Sequence, residues 1–199
     1  MFYDHQALAA AYERAFAKLT ASQYQGIDQI LGFMQLDADI DDDRWVAYML
    51  ATVKHECANT FTPITEYGAD SYFAKYEAGT NLGTRLGNTQ PGDGLRFKGR
   101  GYVQITGRAS YLRLGQALGI GKAFVEQPAM VLEPAHAYRI MSAGMRLGLF
   151  TGRKLATYLN DAGSDYVAAR RIINGQDKAV EIAAYATRFE AMLKRARLD

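Results

Sequence analysis

Apolar residues recur at helical spacing along most of this chain and lose that spacing in one long stretch, residues 57–100. Ahead of it, Leu8, Tyr12, Ala15, Phe16 and Leu19 predict the inner side of a helix over residues 5–18, with Asp4 as its cap. Thr20 or Ser22 opens a second helix, whose buried stripe is Ile27, Ile30, Leu31 and Met34. A third spans residues 44–56, RWVAYMLATVKHE, where Trp45, Tyr48, Met49, Thr52, Val53 and Glu56 fall on one face. Beyond residue 100 the alternation of residues 102–106 predicts a short strand, with Val103 and Ile105 facing inward and Tyr102, Gln104 and Thr106 on the other face. Helices follow near 107–118, 134–149, 153–159, 165–173 and 178–197. Gly119, Gly121, Gly152, Gly163 and Gly175 stop them, while Pro134 and Asp177 start them. Their core is expected from Leu147, Leu149, Phe150, Leu155, Tyr158, Val167, Ile172, Ile173, Ile182, Tyr185, Phe189 and Leu193.

The central helix brings a carboxylate to the end of an apolar stripe. Held against apolar neighbours, Glu56 would be costly to ionise and would stay protonated near neutral pH, the condition for a general acid. A helix-end carboxylate turned to solvent, or a core carboxylate paired with an arginine, gives the same pattern. In the aperiodic stretch, Gly, Asn, Asp and Thr accumulate among Phe61, Tyr67, Tyr72, Phe73, Tyr76 and Phe97. Exposed aromatics there suit stacking on sugar rings, and buried ones would form a satellite core.

Composition narrows the classes. The chain has 199 residues, nearly half apolar, and its 23 Lys and Arg are balanced by 21 Asp and Glu, giving one domain without linker or repeat. A second module is not expected. Charge is dispersed, so no nucleic-acid partner is implied, and Lys194, Arg195 and Arg197 read as a cation-rich helix end. No stretch approaches the ~20 apolar residues of a membrane span. Cys57 is the single cysteine, which excludes an intrachain disulfide. The N-terminal residues lack a signal-peptide pattern, so the expectation is synthesis in the cytoplasm, with release by some other route if the protein acts outside the cell.

Several chemistries drop out. The acidic run 37–43 fails as a calcium loop, with Asp42 where Gly and Tyr48 where Glu would be needed. His55-Glu56 begins like a zinc motif, but Asn59 stands in place of the second His. No metal and no cofactor are expected. What remains is carboxylate chemistry, with Glu66, Asp70, Glu77 and Asp93 as possible partners of Glu56.

The segments KHECANTFTPITEYG, YFAKYEAGTNLGTRLGNTQPGDGLRFKGRGYVQITGRASY and RRIING resemble glycoside hydrolase family 19, the chitinase-like hydrolases, and most of all its bacterial and phage endolysin branch. The resemblance covers roughly residues 45–190. It implies a mainly α, lysozyme-like (α+β) fold, with a long loop region and a very small β element lining a substrate cleft. It further implies an inverting, cofactor-free hydrolysis with Glu56 as acid and Glu77 as the base that activates water. Gln104 and Thr106 fall in the family's substrate-binding and water-positioning strand, Asn174 in its late sugar-contacting segment. Arg100, Tyr102, Ser110 and Tyr67 complete the expected substrate-binding set. Ser110 stands where the family usually has Asn, and INGQ replaces the commoner INGG. The expected activity is cleavage of β-1,4 bonds between amino sugars of peptidoglycan by a monomer without a separate wall-binding module, acting on the wall after holin-type or lysis-dependent release. A chitinase with the same residues, or a silent glycan-binding protein, are the rivals.

Overall fold

The computed structural model describes residues 1–198. In chain order the elements are β1 (Phe2–Tyr3), α1 (His5–Ala15), α2 (Ala21–Leu36), α3 (Asp43–Glu56), β2 (Ile64–Thr65), α4 (Asn81–Arg85), α5 (Asp93–Arg96), β3 (Arg100–Gly101), α6 (Arg108–Ala117) and α7 (Ala123–Glu126). Then come α8 (Pro134–Leu147), α9 (Leu155–Tyr158), β4 (Leu159–Asn160), β5 (Gly163–Ser164), α10 (Tyr166–Ala169), α11 (Ala179–Ala196) and β6 (Arg197–Leu198). Three short 3-10 helices, Asp70–Tyr76, Pro128–Leu132 and Arg170–Ile172, complete the order. The described strands pair two by two, all antiparallel: β1 with β6, β2 with β3 and β4 with β5. Helix is therefore the dominant element.

The chain divides into two compact units, residues 1–62 with 145–199, and residues 63–144. The first is built on α3. Asp42 caps that helix by accepting the Arg44 N–H at 2.8 Å, and every residue from Val46 to Val53 is buried. An amphipathic stripe was expected; the helix is instead enclosed on all sides, the arrangement of a core helix. It packs along α11, which also meets α1 and α10. The caps read from sequence hold: Asp4 accepts from the Gln6 and Ala7 amides, and Thr20 forms a reciprocal capping box with Gln23. Leu8, Tyr12, Ile27, Ile30, Leu31, Met34, Leu155, Ile172, Ile182, Phe189 and Leu193 are buried as expected. Leu147 and Val167 are not, being 51% and 40% exposed, because each falls on the outer side of its helix.

A titratable group lies inside this unit. The Lys54 ammonium donates to the Tyr12 hydroxyl at 2.7 Å and to Asn59 Oδ1, and sits 4.5–5.9 Å from the rings of Tyr12, Phe16, Phe61 and Tyr185. Burial, with a smaller contribution from Arg188, pushes it down from 10.5 to about 8. The unfolded chain therefore holds this proton where the folded chain has released it, so stability rises as pH climbs from about 8 to 10.5. Lys54→Met is expected to lose that increment. Denaturation midpoints of the two proteins at pH 7.5 and 9.5 check this, a change equal in both proteins counting against it.

In the second unit the aperiodic stretch is ordered by short elements rather than left as loop. Phe73 and Phe97 are buried and form its satellite core, while Tyr67 and Tyr72 are exposed at 73% and 47%. The expected strand at 102–106 is corrected. The ladder is Arg100–Gly101 against Ile64–Thr65, after which the chain turns back so that Ile105 and Arg100 exchange hydrogen bonds. Alternation fails as a guide here because Gln104 has left-handed backbone (φ 51°), which reverses the chain within the segment. As a result Tyr102, expected beside Gln104 on an open face, is completely buried along with Val103 and Ile105.

Candidate active site

In the first unit, Glu56 closes the last turn of α3. Its Oε1 accepts from Arg170 Nη1 at 2.6 Å, and the Arg170 side chain is only 3% exposed. Arg170 Nε donates in turn to the Asp177 carbonyl at 3.0 Å, so the guanidinium is fixed from both sides. Of the readings open for Glu56, the carboxylate paired with an arginine is the one observed, and a buried cation orients it. Arg170 was present in the RRIING segment, yet nothing in its spacing to Glu56, 114 residues earlier, marks the pair. Asn174, four residues on, is exposed, with its amide oxygen accepting the Gly175 N–H and its own N–H bonded to the Arg170 carbonyl. Directly after Glu56 the chain leaves the helix through Ala58, Asn59 and Phe61, all left-handed. Gly26 makes room for this bend, since a Cβ there would meet the Phe61 carbonyl oxygen at 2.5 Å. Non-glycine residues in this region cost energy that the surrounding contacts must offset, and such costs gather at functional sites.

The second unit carries the other candidates. Glu66 follows β2; its Oε1 accepts from the Tyr76 hydroxyl at 2.9 Å and its Oε2 from the Gly99 amide at 2.9 Å. Burial, then the bond to Glu66, raises the Tyr76 phenol far above its usual 10.0, so it remains a donor. A Cβ on Gly99 would lie 3.0 Å from both Glu66 Oε2 and Gln104 Oε1, which puts these two side chains around one glycine. The Gln104 amide donates to the Ile64 and Gly101 carbonyls at 3.0 and 2.9 Å, leaving its oxygen as the acceptor on the Glu66 side. Thr106 donates to the Gln104 carbonyl at 3.1 Å. Arg100 is spent within the unit, its Nη1 reaching the Arg96 carbonyl at 2.8 Å and the Tyr111 hydroxyl at 3.0 Å. Ser110 is half-buried in the first turn of α6.

Glu77 has a different setting. Its two oxygens accept from the Gly92 and Gly94 amides at 2.9 and 3.0 Å, so it ties the PGDG segment at the start of α5. Beside it, Asp93, 1% exposed, accepts from Arg108 Nε at 2.7 Å and from the Thr89 and Gln90 amides. Asn88 bridges the Tyr76 carbonyl and the Arg108 amide. The long LGNTQPGDG signature is thus a scaffold in which glycines and carboxylates satisfy one another. Burial alone would raise the Asp93 carboxyl, but Arg108 and the two amides outweigh it and hold it below 3.8. Its stabilisation is present above that value and lost as pH falls below it. Asp93→Asn, which strands the Arg108 charge, is expected to cost about 3 kcal/mol at pH 7 and less in acid, read by urea denaturation. Asp70 is exposed at the start of its 3-10 helix.

Among the described residues no His, Cys, Asp and Glu group is arranged to hold a metal ion, and no helix is long and apolar enough to cross a membrane. Compared with family models and with curated protein sequences, the chain matches none. Solved structures do match. Chitinase C from Streptomyces griseus HUT6037 aligns at 24% identity and a TM-score of 0.62, over 94% of this chain and 76% of that one. A point mutant of chitinase C aligns at 21% identity and a TM-score of 0.63, over 96% and 92%. This chain has the chitinase fold. The mainly α, lysozyme-like architecture expected from the sequence is therefore the one observed, down to the small two-stranded elements.

Proposed function

We propose that this protein is a glycoside hydrolase that cleaves β-1,4 bonds between amino sugars of peptidoglycan. The observation that carries the reading is Glu56 at the end of a helix buried from Val46 to Val53, with one oxygen held by the buried Arg170. Arg170 occupies Oε1, so a proton for the leaving oxygen would be carried on Oε2. The resemblance to glycoside hydrolase family 19 and the chitinase fold support the same chemistry.

For the base that directs water in an inverting reaction, we assign Glu66 in place of Glu77. Both carboxylates have each oxygen engaged, but Glu66 shares its glycine with Gln104, whose left-handed backbone and free amide oxygen mark a working site, whereas Glu77 bonds two backbone amides of the PGDG loop. Gln104 and Thr106 would position the water or the sugar, with Tyr67, exposed beside Glu66, as a stacking platform. Inverting chemistry expects carboxyl groups about 6.5–9.5 Å apart when substrate is bound. Tyr102 leaves the substrate-binding set because it is buried, and Arg100 serves as a support for Tyr111.

Chitin is the second reading, favoured because the aligned structures are chitinases. Mass spectrometry of reducing-end-labelled products separates the two. New N-acetylmuramic acid ends from peptidoglycan support lysozyme-type cleavage and new N-acetylglucosamine ends a glucosaminidase. Cleavage of chitin oligomers alone moves the assignment to chitinase, and no new ends on either polymer overturns hydrolysis.

A further inference from the structure

Helices α1 and α11 enclose a groove of about 310 Å³ in the first unit, away from any residue assigned above to catalysis. Three guanidinium groups line it: Arg14 from α1, and Arg188 and Arg195 from α11. Its floor is apolar, formed by the buried Ala11 and Met192. No carboxylate is among the described residues that line it. Nearby acids are engaged elsewhere: Glu13 accepts the Leu19 amide, Glu190 pairs with Lys194 and accepts from Tyr166, and Glu181 accepts from Tyr185. Among the described residues, Arg188 alone of the three is engaged, donating to the Ala15 carbonyl at 3.2 Å while resting over the Phe16 ring.

Three like charges gathered on two packed helices repel one another unless an anion joins them, and guanidinium forks match phosphate geometry. The outward line of α11 extends the pattern. Val180, Ala184, Arg188, Ala191 and Arg195 are all exposed, at intervals of three or four that keep them on one side. Val180 is 74% exposed, and just past the helix Leu198 is 52% exposed, paired in register with the 58% exposed Phe2. The apolar face of α11 is turned to the core, so a bilayer would be met by these arginines and by the exposed apolar groups at the two ends, each cation near an anionic surface adding to the attraction. From the charge complementarity and these apolar ends we infer that the α1–α11 face docks on an anionic phospholipid surface, with the arginines on lipid phosphates.

The test is flotation of the full chain with vesicles of phosphatidylglycerol and phosphatidylcholine mixed, against vesicles of phosphatidylcholine alone. Retention on the anionic vesicles at about 0.05 M salt and release near 1 M, where charges are screened within about 3 Å, is expected. Arg14→Glu/Arg195→Glu should lower partition at least tenfold, with circular dichroism unchanged. Lys122→Glu/Lys154→Glu, equal in net charge but outside the groove, should keep at least half of it. Retention on neutral vesicles, no retention at all, or equal loss in both variants overturns the inference. So does equal displacement of wild type by millimolar inorganic phosphate or by a phosphorylated polysaccharide, which would leave the groove a simple anion site. None of these outcomes depends on the glycosidase reading.

Discussion

Replacing Glu56 with Gln is expected to reduce turnover by about a thousandfold, within the range that a positioned general acid contributes. The amide oxygen still accepts from Arg170, so the side chain stays where it is while losing the transferable proton. A second consequence separates this site from an ordinary surface acid. Arg170 is nearly excluded from solvent, and losing its counter-charge should cost about 3 kcal/mol of stability. Assays must therefore run well below the lowered melting temperature, with folding followed by circular dichroism. Under those conditions, a Glu56→Gln protein that retains more than a tenth of wild-type turnover has its proton donor elsewhere. Arg170→Lys keeps the charge but not the fork, and should lose activity to an intermediate extent.

Glu66 and Glu77 are expected to part company. Glu66→Ala should lose two to three orders of magnitude in turnover, roughly what a general base supplies, and added azide should restore part of it by attacking in place of the activated water. Recovery by a small anion is a response that a purely structural defect does not give. Glu77→Gln puts an NH2 donor in place of one carboxylate oxygen, so one of the contacts to the Gly92 and Gly94 amides is lost and the other becomes a neutral hydrogen bond. It should lower the melting temperature yet leave turnover within about tenfold of wild type, since neutral hydrogen bonds are about half as strong as charge-assisted ones. The opposite pattern, inactivity without azide recovery at 66 and rescue at 77, would return the base to Glu77. Steady-state kinetics and thermal melts on the same preparations decide between them.

The rival claims of Glu66 and Glu77 show where reading by motif reaches its limit. LGNTQPGDG is the longest distinctive stretch in the chain, and a carboxylate just ahead of it attracts a catalytic role. The hydrogen bonds explain the stretch differently: Asn88, Asp93, Arg108 and Glu77 hold one another and the backbone amides of a tight loop. Glu66 was among the four candidates, but its proximity to Gln104 is created by Gly99 and by the β2–β3 ladder. Tyr102 shows the same limit on a smaller scale, since one left-handed residue turns an apparent open strand face into core.

By itself the sequence determined the helical character of the chain, the caps at Asp4 and Thr20, the burial of most periodic apolar residues, and the placement of Glu56 at a helix end. These are local properties: a period of 3.6 and a side chain reaching an amide two or three residues ahead are written in adjacent positions. Only the tertiary structure decided that Glu56 is gripped by Arg170, that Glu66 rather than Glu77 lies beside Gln104, and that three arginines from the two ends of the chain share one groove. Each of these joins residues brought together by backbone reversals and helix packing, and the energy that selects them belongs to the partners together.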